Sequence, residues 1–279
     1  MNVNRLPDRN TMFVPNSKTV PGSRLLILRP QRRGDGKGLS GRLFKSNTLI
    51  SIIIPTLNEA QQITATLRCL SELKGSYELI VVDGGSTDGT VRLLRAWPQV
   101  RLHHSPRAER AAQMNTGADM ATGDTLWFLH ADTRVPVDSL LRMEQVLHRP
   151  EAVGGSFRMA FDRREWPYFL LSFFTRFNSP FWTFGDQGIF LRAEIFRELG
   201  GYADLPILED LEFQLRLRKR GKFLKIPLAV TTSARRYHRG SPFREFFRDA
   251  GVVAGYFSGV EVRKLNIWYR GHDLGDLPR

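Results

Sequence analysis

A chain of 279 residues, 42% of them apolar and 25% charged, is long enough to bury a sizeable core in one large α/β domain with appendages, or in one domain and a small extra one. Its single cysteine, Cys69, excludes an internal disulfide and fits a reducing compartment. The formal net charge of +13 admits nucleic acid, anionic lipid or phosphorylated ligands, but no aromatic-and-basic stacking module, zinc finger or recognition-helix pattern is present, so no nucleic acid partner is expected.

Residues 1–46 hold ten Lys/Arg against two Asp/Glu and so supply +8 of the net charge. Broken by Pro7, Pro15, Pro21 and Pro30, they read as a basic, flexible tail with one short strand or docking segment at Leu25-Leu26-Ile27-Leu28. Two readings stay open for it: a solvated tail, or an electrostatic tether to an anionic membrane surface. No stretch reaches the ~18 apolar residues that span a bilayer, and the N-terminus lacks the apolar core of a signal peptide. The expected location is the cytoplasm, or the periphery of the inner face of the cell membrane.

The main domain is expected over 47–240. Leu49-Ile50-Ser51-Ile52-Ile53-Ile54 is a nearly continuous apolar run, as for a strand buried on both faces. Pro55-Thr56-Leu57-Asn58-Glu59 ends it, and helical spacing follows from Glu59 to about Leu73 through Ile63, Leu67 and Leu70. Tyr77–Val82 is a second buried strand. It ends in Asp83-Gly84-Gly85-Ser86-Thr87-Asp88-Gly89-Thr90, where the glycines permit a tight turn and Ser86 or Thr87 can cap the next helix. A strand at 100–104, a helix at 107–120 and a strand at 125–129 complete an alternation that implies a parallel, doubly wound sheet.

The strand Leu126-Trp127-Phe128-Leu129 runs straight into His130-Ala131-Asp132-Thr133. At extended i, i+2 spacing His130 and Asp132 point the same way, and together they could hold a hard divalent cation such as Mg2+ or Mn2+. The alternative is that they cap the following helix. Right-handed crossovers place 55–59, 83–88 and 130–133 at one sheet edge, where ligands bind in such folds. Three polar loops sharing one crevice favour a site over a cap.

After Pro136 the alternation loosens. A helix is expected at 137–148 and a strand at 153–161. The aromatic run Trp166–Phe184 is expected to be core, an exposed share of it being the alternative that would suit a lipid or aromatic acceptor. Gly185-Asp186-Gln187-Gly188 leads into a strand at 189–191, and a helix at 193–199 ends at Gly200-Gly201. Leu208-Glu209-Asp210 opens a further helix, whose acidic first turn also suits the helix dipole. A last strand is expected at 230–233, then Arg235 and Arg236. Residues 241–279 are expected to carry an amphipathic helix over 242–260, either interfacial or packed on the domain, and a tail.

Five motifs in this order resemble the family 2 glycosyltransferases of GT-A fold: Ile54-Pro55-Thr56-Leu57-Asn58-Glu59, Val82–Asp88, Arg110-Ala111-Ala112-Gln113-Met114-Asn115, Leu129-His130-Ala131-Asp132 and Leu208-Glu209-Asp210. The likeness runs from about Leu49 to Gly240 and looks nearest to a bacterial branch of radical-SAM- or selenodomain-associated transferases. It implies a Rossmann-like, mostly parallel central sheet flanked by helices, with a mixed acceptor-side half. It implies that Pro55, Thr56, Asn58 and Glu59 contact base and ribose, that Asp83 bonds the base, and that Arg107, Arg110 and Gln113 sit near ribose and phosphates. Asp132 stands where the second Asp of the family's Asp-x-Asp motif binds metal and diphosphate, with His130 in the place of the first. Asp210 matches the general base, with Glu209 beside it, and Asp186 and Gln187 look like acceptor-side residues. His238 stands near a late metal-ligating histidine of some such enzymes.

The chemistry also follows from the residue types. A nucleoside diphosphate leaves only if its growing charge is neutralised, by a cation at Asp132 aided by Arg110 or by Arg235 and Arg236. The acceptor hydroxyl needs a carboxylate to take its proton, and Asp210 would permit in-line attack with inversion. The expected partners are a nucleotide-sugar donor and an acceptor that is lipid-linked or membrane-proximal. A nucleotidyltransferase would want a glycine-rich basic loop after the first strand, which Pro55–Glu59 is not. A non-catalytic nucleotide-sugar-binding or membrane-associated scaffold is the competing class.

Overall fold

The computed structural model describes residues 48–163, 165–235 and 242–274. Seven strands share one sheet in the order β3-β2-β1-β4-β6-β5-β7. They are β1 (Ile50–Thr56), β2 (Tyr77–Asp83), β3 (Val100–His104), β4 (Thr125–Phe128), β5 (Ala152–Phe161), β6 (Phe190–Arg192) and β7 (Lys222–Thr232). The first four are parallel, β6 runs antiparallel to both β4 and β5, and β5 and β7 are parallel. Thus the chain enters β6 at the same edge where β1, β2 and β4 leave the sheet. The register pairs Thr56 with Asp83, so the first two polar loops start level.

Helices cover both faces, which is why the central strands read as unbroken apolar runs. On one face Ile52, Ile54, Leu79 and Trp127 meet α1 (Ile63–Ser71) and α4 (Ser139–Leu147) through Leu67, Leu70 and Met143. On the other, Ile53, Ile80, Val82 and Phe128 meet α3 (Arg110–Asp119), α6 (Ala193–Glu198) and α7 (Glu209–Arg220) through Met114, Phe196 and Phe213. Helix α3 lies so close to β1 that a Cβ at Gly117 would come within 2.4 Å of Ile53 Cγ2.

Several expectations are corrected. The turn after β2 is not capped by Ser86 or Thr87. Asp88 Oδ1 accepts from Thr90 N (3.0 Å) at the start of α2 (Thr90–Leu94), because Ser86 and Thr87 are engaged with Asn58. The last strand begins at Lys222, well before 230; Lys225 and Pro227 hide its length from an apolar-pattern reading. The aromatic run is not core. Of helix α5 (Trp166–Phe174) only Tyr168 is buried, and Trp166, Phe169, Leu170 and Phe173 are exposed, because the helix packs on Met159 and Phe161 of β5 through Tyr168 and turns its apolar stripe outward.

The C-terminal stretch forms two helices, α8 (Pro242–Phe257) and α9 (Val262–Leu274), packed on each other, with α8 also against α5. Among the described residues no helix is long and apolar enough to cross a membrane. The tail 1–46, Arg236 and His238 lie outside the described residues.

Candidate active site

The β1 and β2 loops are laced together at the carboxyl edge. Asn58 adopts a left-handed backbone (φ 57°), which costs energy in a non-glycine residue and is held by its neighbours. Asn58 N donates to Ser86 Oγ (2.9 Å), and Asn58 Oδ1 accepts from Thr87 N (2.9 Å). Glu59 N donates to Thr90 Oγ1 (2.8 Å) and Ala60 N to Asp88 Oδ2 (3.0 Å). Thr56 is buried, its hydroxyl given to Val82 O, and Pro55 precedes it at the strand's end.

Asp83 closes β2. Its Oδ2 accepts from Gly85 N (2.9 Å) and Ser86 N (3.0 Å), and its Oδ1 is buried with no hydrogen-bond partner among the described residues. Gln113 lies across Gly84, where a Cβ would approach its Nε2 to 2.4 Å. Gln113 Nε2 donates to Ala108 O (2.8 Å), and its Oε1 is likewise buried and unpartnered. Two buried acceptors without donors carry a free-energy cost that a ligand donating N–H groups would remove.

A charged cluster follows at the ends of β4 and β7. Arg235 pairs with Glu59 and stands 3.5 Å from Asp132 Oδ2, while Thr232 Oγ1 lies 3.5 Å from Asp132 Oδ1. Burial pushes the Asp132 carboxyl above its ordinary value; His130 and Arg235 oppose this and Asp186 adds to it. Burial also raises Glu59, against the pull of Arg235. Asp186 Oδ1 lies 2.5 Å from His130 Nδ1, so the carboxylate fixes the ring and leaves Nε2 facing the opening.

That Nε2 faces Asp210. A Cβ at Gly185 would sit 3.1 Å from His130 Nε2 and 3.2 Å from Asp210 Oδ2, so any larger residue would press these two side chains apart by a few tenths of an ångström. Gly185 N donates to Asp210 Oδ2 (2.5 Å) and Leu211 N to Oδ1 (2.8 Å). Glu209 is buried beside it, 3.5 Å from Arg110 Nη1; burial raises its carboxyl, with Arg110 opposing and Asp210 reinforcing the rise. Arg110, His130, Tyr202, Glu209 and Asp210 line one small cavity. Leu208 takes the left-handed backbone (φ 65°) that turns the chain into α7 and aims both carboxylates there.

The structure thus gathers Glu59, Asp83, Arg110, Gln113, His130, Asp132, Asp186, Glu209, Asp210 and Arg235 along one edge. It sets two residues apart. Gln187 is fully buried, its amide donating to Trp182 O (2.8 Å) and accepting from Lys225 Nζ, so it fastens the 183–188 loop from beneath. Arg107 is exposed and paired with Asp204 at 2.8 Å. Sequence reading missed Lys225, which also donates to Ser156 Oγ and Thr183 Oγ1, and whose ammonium burial holds down to about 7. It missed the tie from Asn115 to the Tyr202 backbone (both bonds 2.9 Å), which anchors the chain ahead of α7. Asn115 in the α3 motif and Gly200-Gly201 were the available signals. Among the described residues no three His, Cys, Asp or Glu side chains are grouped to hold a metal on their own.

Residues 51–200 match the sequence profile of glycosyl transferase family 2. A PGL/p-HBAD biosynthesis glycosyltransferase of Mycobacterium bovis is 32% identical over 181 residues, 60% of this chain and 69% of its own. The Methanococcus voltae dolichyl N-acetyl-alpha-D-glucosaminyl phosphate 3-beta-D-2,3-diacetamido-2,3-dideoxy-beta-D-glucuronosyltransferase is 23% identical, across 77% of this chain and 74% of its own. Among solved structures, S. aureus TarS 1–349 superposes with a TM-score of 0.57 at 16% identity, over 72% of this chain and 64% of that one, so this chain spans just under two thirds of it. The Pyrobaculum calidifontis mannosyltransferase PcManGT, in complex with GDP-Man and Mn2+, gives 0.56 at 24% identity, over 68% and 58%. With the five motifs on the carboxyl edge of a mostly parallel sheet, these likenesses place the chain in glycosyl transferase family 2, as a glycosyltransferase of GT-A fold.

Proposed function

We propose that the protein moves a sugar, of hexosyl type, from a nucleotide-diphosphate donor to an acceptor hydroxyl with inversion, Asp210 acting as general base and Mg2+ or Mn2+ at Asp132. The observation that carries this reading is two buried acceptors without donors, Asp83 Oδ1 at the end of β2 and Gln113 Oε1 on α3, whose side chain lies across Gly84. The N–H groups of a nucleotide base would fill them. Pro55, Thr56, Asn58 and Glu59 would frame base and ribose and Arg110 the ribose and phosphates, which Arg107 would reach only by leaving Asp204.

The residues at Asp132 suit such a cation. One part-buried carboxylate, held above its ordinary value, is the usual protein share for an ion that takes its other oxygens from phosphates and water. His130 gives Nδ1 to Asp186 and so offers at most Nε2. When bound, the cation would neutralise charge growing on the leaving diphosphate. Arg235, already beside Asp132, would add to that neutralisation, as would Arg236. Asp210 lines the cavity and keeps lone pairs beyond its two backbone bonds, which supports its reading as the proton acceptor. Asp186 would shape the acceptor side, Gln187 would act there only by holding the loop from beneath, and Glu209 would support Asp210 from within the helix.

The dolichyl phosphate in the name of the M. voltae relative supports a lipid-linked acceptor, and the GDP-Man and Mn2+ bound by PcManGT support the donor class and metal. The transferase domain would occupy 47–240, in the cytoplasm. Incubation with UDP-, GDP- and dTDP-sugars and Mn2+ should release nucleoside diphosphate from one of them, water taking the sugar slowly in place of the acceptor hydroxyl. Silence with every donor would favour the scaffold reading.

A further inference from the structure

We propose that α5, α8 and α9 form a docking face for an anionic lipid bilayer, which brings a membrane-borne acceptor to the 183–188 loop. The proposal deepens the transferase reading and rests on it for its purpose, while its test needs no turnover.

Helix α5 is amphipathic in the wrong sense for a core helix. Trp166, Phe169, Leu170 and Phe173 recur at helical spacing, Phe177 follows just past the helix, and all are exposed, Trp166 by 67% and Phe169 by 66%. Helix α8 repeats the pattern. Its outward residues are Arg244, Phe247, Ala250, Gly251, Ala254 and Phe257, with Phe247 68% exposed, while Glu245, Arg248 and Val252 face inward. A helix that buries an ion pair and turns a mostly apolar row with a cation at its start outward has that side matched to something other than water.

The two stripes belong to one surface. Trp182 stacks between Phe174 (4.6 Å) and Phe246 (6.0 Å), and Phe181 meets Phe257 at 5.1 Å. Trp268 of α9 lies over Gly251, where a Cβ would be 3.3 Å from its ring.

Charge selects the occupant. On α9 the exposed Ile267 and Trp268 each follow an exposed cation by one helical turn, Arg263 and Lys264. Arg176 lies over the Phe173 ring at 5.1 Å on α5. Aromatic groups entering the headgroup boundary beside long cationic side chains is the pattern of an interfacial helix. A second copy of the chain would bring the same cations together, whereas anionic headgroups pair with them. The face also reaches the site through a short segment: Phe181 touches α8, and Gly185 touches Asp210.

Flotation of the full chain with phosphatidylcholine vesicles, with and without phosphatidylglycerol, tests this. The wild type should bind the anionic vesicles in a salt-sensitive way. Phe169→Ser with Phe247→Ser should weaken binding about tenfold or more. Arg263→Glu with Lys264→Glu should weaken it roughly tenfold and reduce the salt dependence. All four positions are exposed, so an unchanged melting temperature should accompany the loss. Wild type that ignores both vesicles overturns the proposal. So does undiminished binding of the Phe169/Phe247 variant, which would place attachment elsewhere, the basic 1–46 segment included, and so does a dimer that this variant dissolves. Failure of the transferase reading would instead leave vesicle binding intact and donor turnover absent.

Discussion

Strand β2 carries a carboxylate at each end, and the fold treats the two oppositely. At the amino end Glu78 accepts from Ser51 Oγ (2.6 Å), Thr122 N (2.7 Å), Thr122 Oγ1 (2.9 Å) and Arg101. Burial alone would raise its carboxyl, but these bonds hold it down to about 2. At the carboxyl end Asp83 keeps one oxygen bare, and nearby Glu59, Asp132 and Glu209 are all pushed up by burial. One edge uses its acid to fasten strands. The other holds acids whose charge the folded chain leaves incompletely compensated, which is what a site awaiting cationic and N–H groups requires.

That contrast can be broken from either end. The largest expected effect is Asp210→Asn, which should lower turnover by ~10²–10⁴-fold while sparing nucleotide affinity and melting; near-normal turnover would remove Asp210 as the base. Glu78→Ala should do the reverse, costing ~2–3 kcal/mol in denaturant unfolding at neutral pH and leaving nucleotide affinity alone. Because the folded carboxyl of Glu78 lies below its unfolded value of 4.5, that contribution is present above pH 4.5 and lost as the pH falls through about 2. The variant and wild type should therefore converge in acid.

Lys225→Met probes a cation whose charged form burial disfavours. The folded ammonium titrates near 7 against 10.5 unfolded, so between those values the unfolded chain binds more protons and stability rises with pH. Melting curves of the variant should lack that rise. The smallest effect is at Asp132. Its raised carboxyl means stability falls as the pH climbs above the ordinary value of 3.8, so Asp132→Asn should gain ~0.5–1 kcal/mol at pH 7 without metal.

The sheet was legible where burial on both faces forces continuous apolar runs: β1, β2 and β4 stand within a residue or two of where Leu49–Ile54, Tyr77–Val82 and 125–129 suggested. The meeting of Glu59, Asp83 and Asp132 followed from crossover handedness. Periodicity could show that Trp166, Phe169 and Phe173 share a stripe, but not which way it faces, since that depends on what packs beneath. Lys225 and Gln187 are far apart in sequence, and nothing local marks a lysine as destined for burial beneath a loop. The same limit hid the use of Ser86, Thr87 and Asp88, whose partners Asn58 and Ala60 lie on another loop.

The most direct test of the central claim is melting of wild type and Asp132→Asn with UDP, GDP, CMP and dTDP, each with and without Mn2+ or Mg2+. The account predicts that one base stabilises the wild type by ~2.7 kcal/mol at a hundred times its dissociation constant, and that the metal-dependent part vanishes in Asp132→Asn. No stabilisation by any nucleotide, or metal dependence that survives in Asp132→Asn, would contradict it.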